Sequence, residues 1–271
     1  MEENISSLLN SDIQNLNTIQ PEGWGSIAEI HEHYLKTTNC FCIKQTHINN
    51  QLLGIGTGID FNKTGWLAHI IVGKQFQNNG FGSLIARNRI DYLQTNRGCK
   101  TITLTATDQG YPVYKKIGFI DQSLYYILSR PKSISNTLET SSNISKINKS
   151  HYQGIEKLDK IASGEHRIAL IKPILDNGFV YIKNGEVDGF YLPGFGDCGV
   201  IAQSEEAGIA LLGKRVQNEN KIFLPEENKT AYKYLINNGY QEIKTIHRMI
   251  LGQEFVYNPQ FYYSRIGGFA G

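Results

Sequence analysis

Residues 72–85, VGKQFQNNGFGSLI, join an apolar run at 67–72 to an apolar-periodic segment through a glycine-bearing turn. The turn reads Gln77-Asn78-Asn79-Gly80-Phe81-Gly82, followed by Ser83. A strand that ends in such a loop and opens a helix leaves the first helical N–H groups without intrahelical partners. Those donors, together with the positive end of the helix dipole, suit a phosphate group. Gly80 and Gly82 let the backbone approach a ligand with no Cβ in the way. An ordinary strand–turn–helix accommodates the same glycines, so the loop alone does not fix the chemistry.

Three other patterns carry less. Cys40 and Cys42 alternate on a strand-like run and share one face. With no second ligand pair nearby they read as a buried reduced pair, not a metal site. His31 and His33 lie two apart on a helix, about 200° around its axis, and cannot share a metal. They read as surface histidines. Gly54, Gly56 and Gly58 lie inside a strand that precedes another strand, so they fail the context of a dinucleotide fingerprint. Small residues there mark a close backbone approach.

The elements that hold the phosphate-type loop follow from periodicity. Apolar positions at Ile5, Leu8, Leu9, Ile13 and Leu16 predict a helix over 5–17, and Ser26 caps a second one reaching about Leu35. Strands follow over 40–46, 52–60 and 66–72, with Asn-rich turns between them. A helix over 83–94, a strand over 101–107, a short helix over 111–117 and a strand over 120–128 complete an α/β layout around a mixed sheet. Residues 131–150 are rich in Ser, Asn and Lys and read as a linker. Helical spacing resumes over 155–161 and 165–175. Strands are expected over 180–182, 189–192, 200–202, 222–224 and 243–251, with helices over 207–216 and 230–236. The second half thus repeats the order of the first. TLTATDQGYPVYKKIGF and IFLPEENKTAYKYLINNGY share a strand, a polar turn and a helix ending in Gly-aromatic. The economical reading is two tandem domains, 1–130 and 151–271, each a mixed β-sheet flanked by helices.

Composition narrows the partners. A net charge of +2 over 271 residues gives no reason to expect nucleic acid or an anionic membrane. No apolar run approaches the roughly 20 residues of a membrane span. The acidic, polar opening MEENISSLLNSDIQ does not read as a signal peptide, and a cytoplasmic chain is expected. With no basic or acidic run to meet a macromolecule, the expected partner is a small molecule.

The pattern Gln77-x-x-Gly80-x-Gly82 after a buried strand resembles the pyrophosphate loop of the GNAT superfamily, the acetyl-CoA-dependent N-acetyltransferases. Tyr114-x-x-x-Gly118-Phe119 resembles that family's second motif. Leu104-Thr105-Ala106-Thr107 with Gly110 and Tyr114 is similar to the L-D-A-T-x-x-G-x-x-x-Y segment of a bacterial subgroup with two tandem domains. Gly23-Trp24, Asp159, Gly164, Arg167 and Arg248-Met249 resemble it too. Thr105 departs from the subgroup's aspartate, which puts its acceptor in question. The resemblance implies acetyl-CoA as the acyl donor and a primary amine as acceptor. It implies that Ile70, Ile71 and Val72 pair with the pantetheine arm and that residues from Gln77 to Ser83 cradle the pyrophosphate. Thr107 and Gly110 would flank the cofactor, and Trp24 would wall the acceptor pocket unless it is a buried structural residue.

In that family the tyrosine lies near the CoA sulfur as general acid. A phenol of pKa about 10 can protonate a departing thiolate whose conjugate acid has pKa about 8.5. The base is less legible. The usual offsets before Gln77 hold Trp66 and Ala68. His69 is one residue off, hence on the other strand face, and becomes a candidate only if a bulge rotates it. Otherwise the amine proton leaves through water. No cysteine lies at the loop or near Tyr114, so direct attack in a ternary complex is expected. The alternative is a non-catalytic acyl-CoA-binding sensor. In the second half Gly82 aligns with Gly208, Gly80 with Glu206 and Tyr114 with Leu235, a pattern expected of a copy that binds no CoA.

Overall fold

The computed structural model describes residues 3–131 and 142–271. By contacts the chain forms two compact units. The first holds Met1–Leu104, Asp108–Ile120 and Ile250–Gln253, and the second Thr105–Thr107, Asp121–Met249 and Glu254–Gly271. The architecture is the expected mixed α/β.

The first unit begins with β1 (Glu3–Ser7), a 3-10 stretch (Asn10–Ile19) and α1 (Ile27–Leu35). It continues with β2 (Cys40–His47), β3 (Leu52–Asp60), β4 (Thr64–Val72), α2 (Phe81–Thr95), β5 (Thr101–Ala106) and α3 (Tyr111–Ile117). Strand order is β1-β2-β3-β4-β5, antiparallel except for the parallel pair β4–β5.

The single helix expected over 5–17 is instead a strand followed by a 3-10 stretch. Its buried residues Ile13, Leu16 and Ile19 recur every third position, which is the period of a 3-10 helix. Ile5 pairs with Gln45 across β1–β2.

β3 is the axis of this unit, and its alternation sorts the two faces. A Cβ on Gly56 would lie 2.4 Å from Ile85 Cγ2, and one on Gly54 2.9 Å from Ile85 Cδ1. The glycine face therefore admits α2 in close contact, as the sequence suggested. Ile85, Ala86, Ile90 and Leu93 of α2 are buried there, each larger side chain contributing roughly 1.5–3 kcal/mol by leaving water. The opposite face carries Ile55, Thr57 and Ile59, all fully buried. Thr57 meets α1 through His31.

The second unit contains β6 (Ile120–Ser129) apart from its first residue, and β7 (Ile144–Lys146). Of the expected linker, 132–141 lie outside the described residues. After β7 come α4 (Tyr152–Ser163), α5 (Ile168–Ile171), β8 (Phe179–Lys183), β9 (Glu186–Tyr191) and β10 (Val200–Ala202). Then follow α6 (Glu205–Val216), β11 (Lys221–Pro225), α7 (Lys229–Asn237), β12 (Gln241–Gly252) and β13 (Tyr262–Ser264).

One sheet of this unit runs β13-β10-β9-β8-β7. The helix expected over 165–175 is cut to one turn because Pro173 cannot continue it, and a 3-10 stretch follows. Asp159 and Arg167 form a buried two-point ion pair, Oδ1–Nη2 2.5 Å and Oδ2–Nε 3.1 Å. Arg248 Nε donates to Gln122 Oε1 at 2.7 Å, with its guanidinium 4.1 Å over the Tyr257 ring. These residues, singled out by resemblance, hold the interior of the second unit together.

Candidate active site

The turn between β4 and α2 has the backbone of an anion cradle. Gly80 caps α2 with φ +85° and Asn78 has φ +64°, both in the left-handed region. A Cβ on Gly80 would meet nothing within 4 Å, so glycine is required there by conformation and the space above it is open. No acidic side chain occupies the first turn of α2. The side chains of Gln77 and Asn79 shape the loop from within. Gln77 Nε2 donates to the Val72 carbonyl at 3.3 Å, and Asn79 Nδ2 to those of Phe76 and Gln77 at 3.2 and 3.0 Å. Phe81 is buried, anchoring the helix start, while Gly82 and Ser83 stay partly exposed.

A second feature leads into this cradle. β4 pairs with β5 only through Thr64–Thr101, Gly65–Ile102 and Trp66–Thr103. From Leu67 onward the ladder on that side stops, while pairing with β3 continues to Val72. The edge containing Ile70, Ile71 and Val72 is thus left for another partner, the condition for strand addition.

The two sequence motifs meet through a residue not foreseen from sequence. Gln109 Nε2 donates to Gln77 Oε1 at 2.8 Å, tying the turn before α3 to the cradle. Gly110 caps α3, and Gly118 closes it with φ +113°. Tyr114 is buried, its ring edge-on to Phe119 at 5.7 Å. Burial pushes its phenol above the usual range, so it stays protonated. Thr107 follows the last residue of β5 and groups with the second unit.

His69 sits on a bulge. Ile55 faces Ile71 and Thr57 faces Ala68, so Gly56 alone opposes both His69 and Ile70. His69 itself takes φ +49°, a conformation rare for a non-glycine residue and concentrated at functional sites. The bulge on which its candidacy depended is therefore present. Tyr34 Oη lies 3.0 Å from His69 Nδ1, and the His31 ring packs edge-on at 5.4 Å. Trp24 is 46% exposed and edge-on to His69 at 6.1 Å, which removes the reading of Trp24 as a buried structural residue.

His31 is a correction. It is 0% exposed rather than on the surface. Ile27, His31 and Tyr34 fall at i, i+4 and i+7, the buried face of α1, and that spacing was legible. Its Nδ1 lies 2.6 Å from the Ile27 carbonyl and its Nε2 3.3 Å from Thr57 Oγ1.

Burial pushes His31 down to about 4, and burial followed by the neighbouring His31 pushes His69 to about 3. Both rings are neutral near pH 7. Between the unfolded value of about 6.5 and the folded one, the unfolded chain binds more protons, so stability falls as pH drops through this window. For His31 the full loss is about 3 kcal/mol. Urea unfolding at pH 7 and 4.5 should show wild type losing more stability than His31→Gln. Equal losses in both proteins would refute the buried neutral ring.

Residues 10–119 match the sequence profile of the Acetyltransferase (GNAT) family. No curated protein matches the chain. Among solved structures, a proposed acetyltransferase from Pyrococcus horikoshii is similar over 99% of this chain and 96% of its own, with TM-score 0.84 and 22% identity. A GCN5-related N-acetyltransferase from Sphaerobacter thermophilus is similar over 94% and 97%, with TM-score 0.65 and 10% identity. The glycine loop, the opened strand edge and the tyrosine helix all fall within residues 10–119, the stretch that is similar to the Acetyltransferase (GNAT) family.

Proposed function

We propose that the first unit transfers acetyl from acetyl-CoA to a primary amine of a small molecule by direct attack in a ternary complex. The observation that carries this is the continuous track formed by the β4 edge from Leu67 to Val72 and the acid-free start of α2. Bound acetyl-CoA supplies the thioester carbon and a thiolate leaving group. The backbone of Ile70, Ile71 and Val72 would hold the amide-bearing arm, and an N–H there can stabilise the developing oxyanion. N–H groups from Asn78 to Ser83 would hold the pyrophosphate. Tyr114 keeps a proton for the leaving thiolate, Trp24 and His69 stand on the acceptor side, and the ammonium proton leaves through water.

The cysteines support direct transfer. Burial pushes Cys42 up to about 11 and Cys99 to about 12, and raises Cys40 and Cys198 as well. Thiols held this way are poor nucleophiles at neutral pH. Acetyl-CoA should release free CoA in the presence of some member of a panel of primary amines, with an acetylated product of matching mass. CoA binding without transfer to any of them would favour the sensor alternative.

The second unit is proposed to bind no CoA. Measured from Gly208, α6 begins two residues earlier than α2 does from Gly82, so helix takes the place of the open loop. Ser204 caps it, accepting from the Ala207 N–H at 3.2 Å. Glu206 accepts from Tyr181 Oη at 2.6 Å and pairs with Lys183 at 3.0 Å, while Glu205 accepts from Thr230 at 2.9 Å. Two carboxylates satisfy this dipole and repel a pyrophosphate. The Tyr263 ring lies against Gly208, where a Cβ would come within 2.0 Å of it. Leu235, in the place of Tyr114, is buried and has no proton to give. Calorimetric titration of the intact chain should return one CoA per chain. Two equivalent sites would exclude this reading.

A further inference from the structure

Trp24 stands between two glycines on the turn Pro21-Glu22-Gly23-Trp24-Gly25, which does little to hold itself. Gly23 has φ +75°, and a Cβ on either glycine would meet nothing within 4 Å. The Trp24 N–H donates to the Pro21 carbonyl at 3.4 Å, a long bond across a β-turn that puts Gly23 where type II turns need positive φ. Gly-Trp-Gly left to itself has wide backbone freedom. Its indole is nonetheless set edge-on to His69 while staying exposed.

The turn is held by the side chain that precedes it. Gln20 Nε2 donates to the Pro21 and Gly25 carbonyls, both at 3.1 Å, and Gln20 Oε1 accepts from the Ile27 N–H at 3.0 Å. One planar amide thus ties the two ends of the turn to each other and to the first residue of α1. The first N–H groups of a helix lack intrahelical partners. Ser26 Oγ takes that of Glu29 and Gln20 takes that of Ile27. The orientation of the amide follows from its partners. Flipped, it would set its oxygen against two carbonyls and its NH2 against an N–H.

We propose that Gln20 is a positioning residue that locks the Trp24 turn, so that Trp24 meets the acceptor amine as a fixed wall and not as a mobile flap. This rests on the acetyl-transfer reading of the first unit, in which Trp24 stands on the acceptor side. A wall ordered before the amine arrives spares each binding event the entropy of ordering it. It also holds the amine in one orientation relative to the thioester.

Time-resolved fluorescence anisotropy of the full chain reads the mobility of Trp24 directly. The other tryptophan, Trp66, is fully buried, and Trp24→Phe identifies its share of the signal. In wild type the Trp24 emission should depolarise with the whole chain. Gln20→Ala and Gln20→Glu should each add a nanosecond component. Gln20→Glu keeps an acceptor for the Ile27 N–H and turns both donors into a carboxylate facing two carbonyls, so it opens the turn without uncapping α1. Kinetics provide a second arm, using whichever primary amine of the panel turns over fastest. Both Gln20 variants should raise KM for the amine about tenfold and leave KM for acetyl-CoA unchanged. On a Trp24→Ala background the same substitutions should add less than about twofold, because a clamp acts only through what it holds. Unchanged anisotropy in both variants, an unmoved amine KM, or a full effect persisting without Trp24 would overturn the proposal. If no amine turns over, the acetyl-transfer reading fails, while the anisotropy still decides whether Gln20 holds the turn.

Discussion

Gly80→Glu should abolish measurable CoA binding, while Gly80→Ala weakens it only modestly. The two variants share one backbone cost, because any side chain at φ +85° is strained by about 1–2 kcal/mol. Neither meets a neighbour, since a Cβ there has open space around it. They differ in a single carboxylate at the start of a helix that carries no acid in its first turn. Two unit charges about 5 Å apart at an effective dielectric of about 20 repel by about 3 kcal/mol, more than a hundredfold in Kd. The same carboxylate favours the helix dipole by about 0.3–1 kcal/mol, so the glutamate variant should be no less stable than the alanine one. Affinity and stability would then move in opposite directions, which general unfolding cannot mimic. Calorimetry and thermal melts on both variants test this. Equal CoA affinity in the two would remove the pyrophosphate from this loop.

What could be foreseen about this site was local in the chain. The glycine loop and the Tyr114 helix are each contiguous, and their strands and helices formed close to where periodicity put them. Gly54, Gly56 and Gly58 were legible as a close approach, and Ile85 approaches the first two and Leu93 the third. The cluster of Trp24, His31, Tyr34 and His69 was harder because it is assembled from a distance. The His69 bulge arises from a register offset between β3 and β4, and no glycine or asparagine marks its positive φ. His31 was misread for a different reason. Its spacing from Ile27 and Tyr34 names the buried face of α1, but a histidine on that face looks out of place until Thr57 and the Ile27 carbonyl supply its hydrogen bonds. Short strands such as β1, β7 and β13 hold three to five residues, too few for alternation to register.

Replacing Tyr114 by Phe should lower kcat about a hundredfold and leave CoA affinity nearly unchanged. The ring can stay, since it packs edge-on against Phe119 at 5.7 Å. The helix end is equally independent of the hydroxyl: the Tyr114 carbonyl accepts from the Gly118 and Phe119 N–H groups at 3.1 and 3.0 Å. The variant therefore loses a proton and little else. Because burial holds the phenol above its usual range, wild type keeps that proton throughout the neutral region. The loss should then lower the whole pH–rate profile without moving its limbs. A donor with a better leaving group separates this role from a steric one. Acetyl-seleno-CoA releases a selenolate, a weaker base than a thiolate, which departs without needing a proton. The deficit of the Phe variant should shrink with that donor, approaching wild-type turnover. A deficit equal for both donors would assign the hydroxyl to positioning, and wild-type kcat with acetyl-CoA would leave Tyr114 a packing role alone.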